Sequence, residues 1–283
     1  MRRSSWLNAG LFLAAGAILL LERKRRARPY VERPATHRTR NMAVAGMAAA
    51  TVHLLETPVV VPLARMVARR RWGLTFAVGG PAWLRGIIAV LLLDYTLYWW
   101  HIIFHRVPAL WRFHLVHHVD LDLDLTTGLR FHAGELTASI PWRAAQIVLI
   151  GVTPTTLAVW QTLTLISVLF HHSNTRLDDR LERRLWKVIA TPRMHAIHHS
   201  IDPAQLHSNF TSGLALWDHL HGTARLDARA NEVTVGVAGY LKPEDVTLEA
   251  IVALPFTTAL LDQQRLRELR IPSEPEGARG NHA

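Results

Sequence analysis

The sequence predicts an all-α protein: a polytopic integral membrane bundle of helices with a helical, histidine-rich, metal-binding cap that faces the cytosol. Two observations predict the bundle. Hydrophobic residues make up 49 % of the 283 residues and gather in blocks too long and too uncharged for surface helices, and arginine fills the stretches between these blocks. The cap is predicted because most of the 17 histidines stand at or just beyond the ends of the blocks.

The first two apolar blocks predict an anchor and a weaker span. Residues 6–21 are followed by "ERKRRAR", and no small-residue cleavage site precedes that charge, which favours an uncleaved anchor over a signal peptide. The second block, residues 42–61, is interrupted by His53, Glu56 and Pro58. It is therefore the weaker candidate for a membrane-crossing helix.

The third and fourth blocks predict a full span and a helical hairpin. Residues 84–104 are enough to cross a hydrocarbon core of roughly 30 Å at about 1.5 Å per residue. Residues 136–170 are too many for one span, and Gly151 and Pro154 near their middle can form a turn. We therefore expect two short helices that enter the membrane and return.

Beyond the hairpin the pattern is polar and mixed. In "TPRMHAIHH", Thr191 is the expected N-cap of a helix with Pro192 in its first turn. The last residues contain too few apolar groups to pack. The predicted organisation is an N-terminal transmembrane anchor region (1–80), a histidine-rich domain (81–225), a C-terminal helical extension (226–270) and a disordered tail (271–283).

Charge and cysteine content limit the partners. The formal net charge is +10, but the arginines flank apolar spans and do not interleave with exposed aromatic residues, which favours anionic lipid headgroups over nucleic acid. The chain has no cysteine, so disulfides and thiolate metal sites are excluded. If the second block crosses the membrane, the positive-inside rule places "ERKRRAR" and the histidines inside but "RMVARRR" outside.

The histidines recur in a pattern that chance does not explain. A triplet spaced HxxHH is expected roughly 0.06 times in a chain with this histidine content, yet it occurs twice, in "HLVHH" and "HAIHH". Offsets of three and four place side chains on one face of a helix. "HIIFH", "RFHAGE" and "HHSN" add further histidines, and the returning hairpin allows all five groups to meet on one side of the membrane.

Two interpretations of the histidines compete. A single interfacial imidazole, such as His37, is expected only to hydrogen-bond lipid or water. Many neighbouring imidazoles would repel one another when protonated, so their convergence favours a shared cation. The predicted metal ligands are His101, His105, His114, His117, His118, His132, His171, His172, His195, His198 and His199.

One acidic residue in the third span is a candidate for the catalytic site. Asp94, Tyr98 and His101 fall at i, i+4 and i+7 on one helix face, so Asp94 is expected to accept a hydrogen bond from a ligand ring or from Tyr98. The alternative is a structural carboxylate that satisfies helix backbone or pairs with an arginine.

In their order and spacing, "HIIFH", "HLVHH", "HHSN" and "HAIHH" resemble the histidine boxes of the fatty acid hydroxylase and sterol desaturase superfamily. "DYTLYWWH", "RFHAGE", "TPRMHAIHHS" and "LWDHLHGT" extend the resemblance over residues 94–224. Ala133 stands where the family often has proline, and His219 and His221 stand where arginine and phenylalanine are commoner. The same motifs add Asn174 to Asp94 and Tyr98 as predicted catalytic-site residues, with Asn209 and Asp218 as similar polar candidates.

The resemblance implies a membrane-bound oxygenase with a di-iron centre that uses O2 to hydroxylate or desaturate a fatty acyl or sterol-like lipid. Imidazole ligands alone would also suit zinc, copper or nickel. Because no haem, flavin or iron–sulfur motif occurs, the electrons are expected from a separate redox protein. The alternative is a histidine-lined membrane metal transporter or metal-binding protein, for which histidines and acids at mid-span would be expected.

Overall fold

The predicted all-α class is confirmed over residues 2–257, the part of the chain that the computed structural model describes, with side chains described from residue 6. That part contains isolated antiparallel bridges but no strand. The predicted tail, residues 271–283, and residues 258–270 of the predicted extension lie outside the described residues. The α-helices are α1 (Arg2–Lys24), α2 (Pro34–Thr51), α3 (Thr57–Arg70), α4 (Leu74–Val78), α5 (Ala82–Arg106), α6 (Pro108–His118), α7 (Ala133–Gln146), α8 (Pro154–His172), α9 (Asp179–Leu185), α10 (Pro192–His198), α11 (Pro203–Leu206), α12 (Leu216–Leu220) and α13 (Leu248–Ala253).

Three helical segments in this part of the chain are long and apolar enough to cross a membrane: Trp6–Lys24, Pro34–Val78 and Ala82–Arg106. The second contains the weaker block. Its interruption at His53 and Glu56 is accommodated by a π-helical turn, Val52–Glu56, which joins α2 to α3. Pro58 lies directly after this π-helical turn, at the start of α3.

The predicted hairpin is formed by α7 and α8, and its turn lies where the sequence indicated. A second π-helical turn, Ile147–Gly151, ends the first leg, and Thr153 caps the second leg by accepting a hydrogen bond from Thr156 N. Gly151 has φ +87°, and an added Cβ would lie 2.7 Å from Thr75 Oγ1. Glycine is therefore required at this turn both by backbone conformation and by space.

Two apolar clusters hold the bundle and the cap. Near the hairpin turn, buried side chains of α3, α5 and the second π-helical turn pack in one cluster that includes Val60, Leu93 and Ile147. At the opposite end, the segment after α12 folds back onto α6, where Ile251 packs in one cluster with Leu115. Residues 226–257 contain only short helical pieces, so this part of the predicted helical extension is largely irregular.

Gly151→Ala is expected to destabilise the protein by about 2 kcal/mol or more, because alanine strains the positive φ and overlaps Thr75. The midpoint of thermal unfolding in detergent should fall by at least about 5 °C. Gly46→Ala is the matched control, since Gly46 lies in α2 with open space around its Cβ position. Equal midpoints for both variants would contradict this account of the turn.

Candidate metal centre

Nine histidines form two groups in which the ring nitrogens of each group lie within 4.8 Å of one another. Eight of the nine are buried, and His101 is half-buried where it lines a cavity. The first group is His101, His105, His114, His118 and His198, and the second is His117, His172, His195 and His199.

Each HxxHH motif divides its three histidines between the two groups, and the two motifs favour different groups. The first motif, on α6, gives its outer histidines to the first group and His117 to the second. The second motif, on α10 and its C-cap, gives its outer histidines to the second group and His198 to the first. Because i+3 and i+4 side chains diverge slightly around a helix axis, each helix can contribute to two adjacent centres.

The spacing between ring nitrogens matches ligands around a common ion. In the first group, His114 Nε2 lies 3.1 Å from His101 Nε2 and 3.2 Å from His118 Nε2. In the second, His172 Nε2 lies 3.0 Å from His117 Nε2 and 2.9 Å from His195 Nε2. Two nitrogens that bind one ion at roughly 2.1 Å and at right angles are about 3 Å apart.

Backbone carbonyls and one carboxylate fix which nitrogen faces inward. His101 Nδ1 donates to Phe210 O at 2.6 Å, His198 Nδ1 to Ser208 O at 2.7 Å, and His172 Nδ1 to Val168 O at 2.8 Å. A carbonyl oxygen can only accept, so the proton lies on Nδ1 and Nε2 carries a free lone pair. His114 Nδ1 is held in the same way by Glu135 Oε1 at 2.9 Å.

The ring of His105 also fits a site for a cation. Neither ring nitrogen of His105 has a hydrogen-bond partner among the described residues, although the side chain is buried. A buried nitrogen left without a partner is costly, and a metal ion would satisfy it. Histidine nitrogens with free lone pairs suit a borderline transition-metal ion such as iron or zinc, so the donor set fits the iron that the family resemblance implies.

Five buried histidines on α6, on α10 and at its C-cap favour the neutral form, which is the form that binds metal. Burial, followed by the neighbouring imidazoles, lowers the pKa values of His117, His118, His195, His198 and His199 well below 6.5. Because these rings favour the neutral form at pH 7, protons do not compete with a metal ion for their nitrogens.

Two predicted ligands lie outside both groups. His132 caps α7, where its Nδ1 accepts from Gly134 N at 2.9 Å and its Nε2 lies 3.3 Å from Val252 O. His171 is buried beside the second group, with its ring centroid 4.1 Å from that of His195. Neither nitrogen of His171 has a hydrogen-bond partner in the described part of the chain.

The expected hydrogen bond of Asp94 is corrected by the structure. Asp94 accepts from Leu214 N at 3.0 Å and from Trp217 Nε1 at 2.7 Å, whereas Tyr98 OH bonds Thr223 Oγ1 at 3.0 Å. The loop before α12 and the first turn of α12 pack against α5, so their donors reach the carboxylate before Tyr98 or a ligand ring does. Asp94 therefore holds the loop whose carbonyl at Phe210 orients His101.

The other polar candidates also stabilise loops. Asn174 makes two hydrogen bonds with the backbone of Arg28, each of 2.9 Å, and lies outside the histidine groups. Asp218 accepts from Phe210 N and Thr211 N. Asn209, at φ +54°, donates to Met194 O and so joins the same loop to α10.

Sequence reasoning missed Glu135 and the acidic residues of "DLDLDL". Asp120 lies 2.9 Å from His37 Nε2 and 3.2 Å from Arg130 Nη1, and all three are buried. Although burial raises the pKa of Asp120, the charges of Arg130 and His37 outweigh it and hold that pKa below its usual range. Three acids at alternate positions directly after "HLVHH" were the available signal.

A cavity of about 640 Å³ adjoins the histidines and continues between the legs of the hairpin. Its wall is mostly apolar, and it is formed by α2, α5, α7 and α8. His101, His114 and His117 line one end of it, next to Trp100 and Phe104. Its volume lies in the range of small-molecule sites in proteins, roughly 300–1,000 Å³.

Comparison with known proteins agrees with this site. Residues 86–223 match the family model described as fatty acid hydroxylase. The chain is 28 % identical over 170 residues to an ornithine lipid hydroxylase of Rhizobium tropici, 29 % over 136 residues to an alkylglycerol monooxygenase of Xenopus tropicalis, and 25 % over 154 residues to a cholesterol 25-hydroxylase of Rattus norvegicus. These matches cover 60, 48 and 53 % of this chain but 48, 29 and 50 % of the relatives, respectively. No solved structure matches.

Fold and site together define a helical membrane protein with two buried histidine groups, each of a size to hold a metal ion. Over residues 86–223 the predicted resemblance to the fatty acid hydroxylase and sterol desaturase superfamily is confirmed, because this stretch matches the fatty acid hydroxylase family model.

His118→Ala is expected to lower the metal content of the purified protein by about one ion per chain, because it opens one ligand position of the first group. His132→Asn should leave the metal content unchanged, since asparagine preserves the N-cap of α7 and no ligand is lost. Elemental mass spectrometry after dialysis against a weak chelator measures both. An equal loss in the two variants would contradict the separation of His132 from the groups.

Proposed function

We propose that this chain is a membrane-bound lipid oxygenase that uses O2 and external electrons to hydroxylate or desaturate a lipid, with two iron ions held by the two histidine groups. The observation that carries the proposal is the convergence of neutral, oriented histidine nitrogens at one end of an apolar cavity. The family supports iron over the other metals that imidazole suits. Residues 81–225 form the proposed catalytic domain.

In this proposal the nine grouped histidines hold the metal, and bound iron supplies the activation of O2 for C–H oxidation. The chain itself orients the histidine rings and shields the reacting C–H bond from water. Glu135 and the carbonyls of Ser208 and Phe210 keep the Nδ1 protons in place, while Trp100 and Phe104 keep water from the C–H bond. His171, with both nitrogens unpartnered beside the second group, is the proposed additional ligand.

A metal transporter is the less favoured alternative. Transport requires metal-binding groups along a path through the membrane, but the grouped histidines are concentrated where α5, α6, α8 and α10 meet. The names of the three relatives above are those of hydroxylases and a monooxygenase, acting on an ornithine lipid, an alkylglycerol and cholesterol. A lipid is accordingly the proposed substrate class.

We place the histidine site on the cytoplasmic face. The basic segment after α1 is joined to the end of α8 by an antiparallel bridge between Arg26 and Thr175, so "ERKRRAR" lies at the same end as the histidines. The smaller basic cluster at the end of α3 lies towards the hairpin turn. The positive-inside rule assigns the end with more arginine and lysine in its short loops to the cytoplasm.

The electron donor is proposed to be an acidic redox protein that docks on a basic groove beside the site. The groove is lined by Arg180, Arg183, Arg184, Trp186, Lys187 and Leu226. Its four cations are exposed and Glu182 is buried, so the exposed charge between Asp178 and Lys187 is positive even with exposed Asp178 and Asp179 counted. Opposite charge on a partner would raise the rate of association.

Membranes that contain the chain, supplied with ¹⁸O2 and reductant, are expected to form an oxidised lipid. A gain of one labelled oxygen indicates hydroxylation, and a loss of two hydrogens indicates desaturation. His198→Ala should lower product formation at least about a hundredfold, since it removes a proposed ligand. His221→Phe, outside both groups, should retain at least about a tenth of the activity. Lipid that has neither gained labelled oxygen nor lost two hydrogens in any sample, at equal expression, would reject the oxygenase.

Arg183→Glu combined with Arg184→Glu is expected to raise the KM for an acidic redox protein about tenfold at low salt, with a smaller effect at high salt because ions screen the contact. Turnover driven by a small chemical reductant should not change. Arg69→Glu with Arg70→Glu, on exposed residues at the other end, is the control. Equal loss with the small reductant would show that the groove is not a docking surface.

A further inference from the structure

Two charged side chains line the cavity within the predicted membrane region. Glu56 and Arg143 face each other with Arg143 Nε 3.8 Å from Glu56 Oε1, and their side chains are only 11 and 13 % exposed. Glu56 belongs to a candidate membrane span, and Arg143 belongs to the first leg of the hairpin. Charged groups at such positions are costly, so they are retained mainly for function.

Three elements meet at this pair. Glu56 is the last residue of the π-helical turn between α2 and α3, a local geometry that is frequent at functional sites. The guanidinium carbon of Arg143 lies 4.2 Å from the ring centroid of Trp160 on α8, so Arg143 bridges both legs of the hairpin. The pair therefore has a fixed position in the wall of the cavity.

The pair has unused hydrogen-bonding capacity. A separation of 3.8 Å is too long for a hydrogen bond between the two side chains. Arg143 Nη1 donates to Gln146 Oε1 at 2.7 Å, but Arg143 Nε is buried without a partner among the described residues. Within residues 6–257, Glu56 has this ion pair and no hydrogen bond to its carboxylate. A donor and an acceptor thus stand side by side and unsatisfied.

The distance from this pair to the histidines is given by the number of residues between Glu135 and Arg143 on α7. Glu135, Ser139 and Arg143 are spaced by four residues, and all three line the cavity on one face of the helix. Glu135 holds His114. Arg143 is eight residues further along, which is about 12 Å at the helical rise of 1.5 Å per residue.

We propose that Glu56 and Arg143 bind a neutral hydrogen-bonding group of the lipid substrate, a hydroxyl or an amide, and thereby determine which carbon lies at the histidines. A hydroxyl or an amide both donates and accepts, so it complements the pair. A carboxylate would be repelled by Glu56, and an ammonium group by Arg143. The inference rests on the proposed function, because it assigns the substrate class of that same site.

The test is binding to the purified full-length chain in detergent, followed by native mass spectrometry with three probes of equal chain length: hexadecanol, hexadecanamide and hexadecanoate. The wild-type chain is expected to bind the alcohol and the amide about tenfold more tightly than the carboxylate. In Glu56→Gln, Arg143 is an uncompensated cation, so binding of hexadecanoate should tighten about tenfold. Glu244→Gln, on an exposed residue, is the matched control.

A double variant, Glu56→Gln with Arg143→Gln, removes both charges and leaves neither one buried alone. It should bind hexadecanol about tenfold more weakly than the wild type does. If the pair only ties the helices together, the double variant will bind hexadecanol with unchanged affinity, and this result would overturn the proposal. The proposal would also be overturned if the wild-type chain bound hexadecanoate as tightly as hexadecanol.

The binding test needs neither O2 nor reductant, so its result is independent of oxidation. The predicted selectivity without any hydroxylated or desaturated product would reject the oxygenase and keep the lipid site. Hydroxylated or desaturated product without the selectivity would reject only the role of Glu56 and Arg143 and would leave the oxygenase standing.

Discussion

The crowding of neutral imidazole nitrogens is the constraint on which the rest of the cap depends. Their Nε2 atoms approach to about 3 Å within each group, and where Nδ1 carries the proton these approaches bring lone pairs together. Such an arrangement is unfavourable unless a cation lies between the rings. The loops and carboxylates around the groups serve to hold this geometry before any ion binds.

Buried charges connect the histidine groups to the helices that precede them. Asp120, two residues after His118, is paired with Arg130 and bonded by His37 and Asn41, so α2 is fastened to the end of α6. Removing one partner from such a buried network leaves an uncompensated charge, at a cost of about 3–5 kcal/mol. The N-terminal helices therefore support the histidine site as well as contributing candidate spans.

The cavity is a consequence of how the hairpin is built. The turn at Gly151 requires a close approach that only glycine permits, and Arg143 against Trp160 spans the space between the legs. Apolar side chains line most of this space, and the histidines close one end. A lipid chain can lie between the legs with a carbon beside the histidines, which is the arrangement that oxidation of a C–H bond requires.

The sequence by itself determined the helical class, the hairpin with its turn, and the histidines that converge, because hydrophobic blocks and the periods of three and four are local properties of the chain. Only the tertiary structure decided that His117 and His198 each join the group opposite to that of their own motif, since this depends on how α6 and α10 are rotated towards each other. It also decided that Asp94 bonds the loop before α12 and that His132 caps α7. The partner of Asp94 lies more than a hundred residues away along the chain, and the partner of His132 is a backbone N–H. The spacing of side chains in the sequence therefore predicts neither contact.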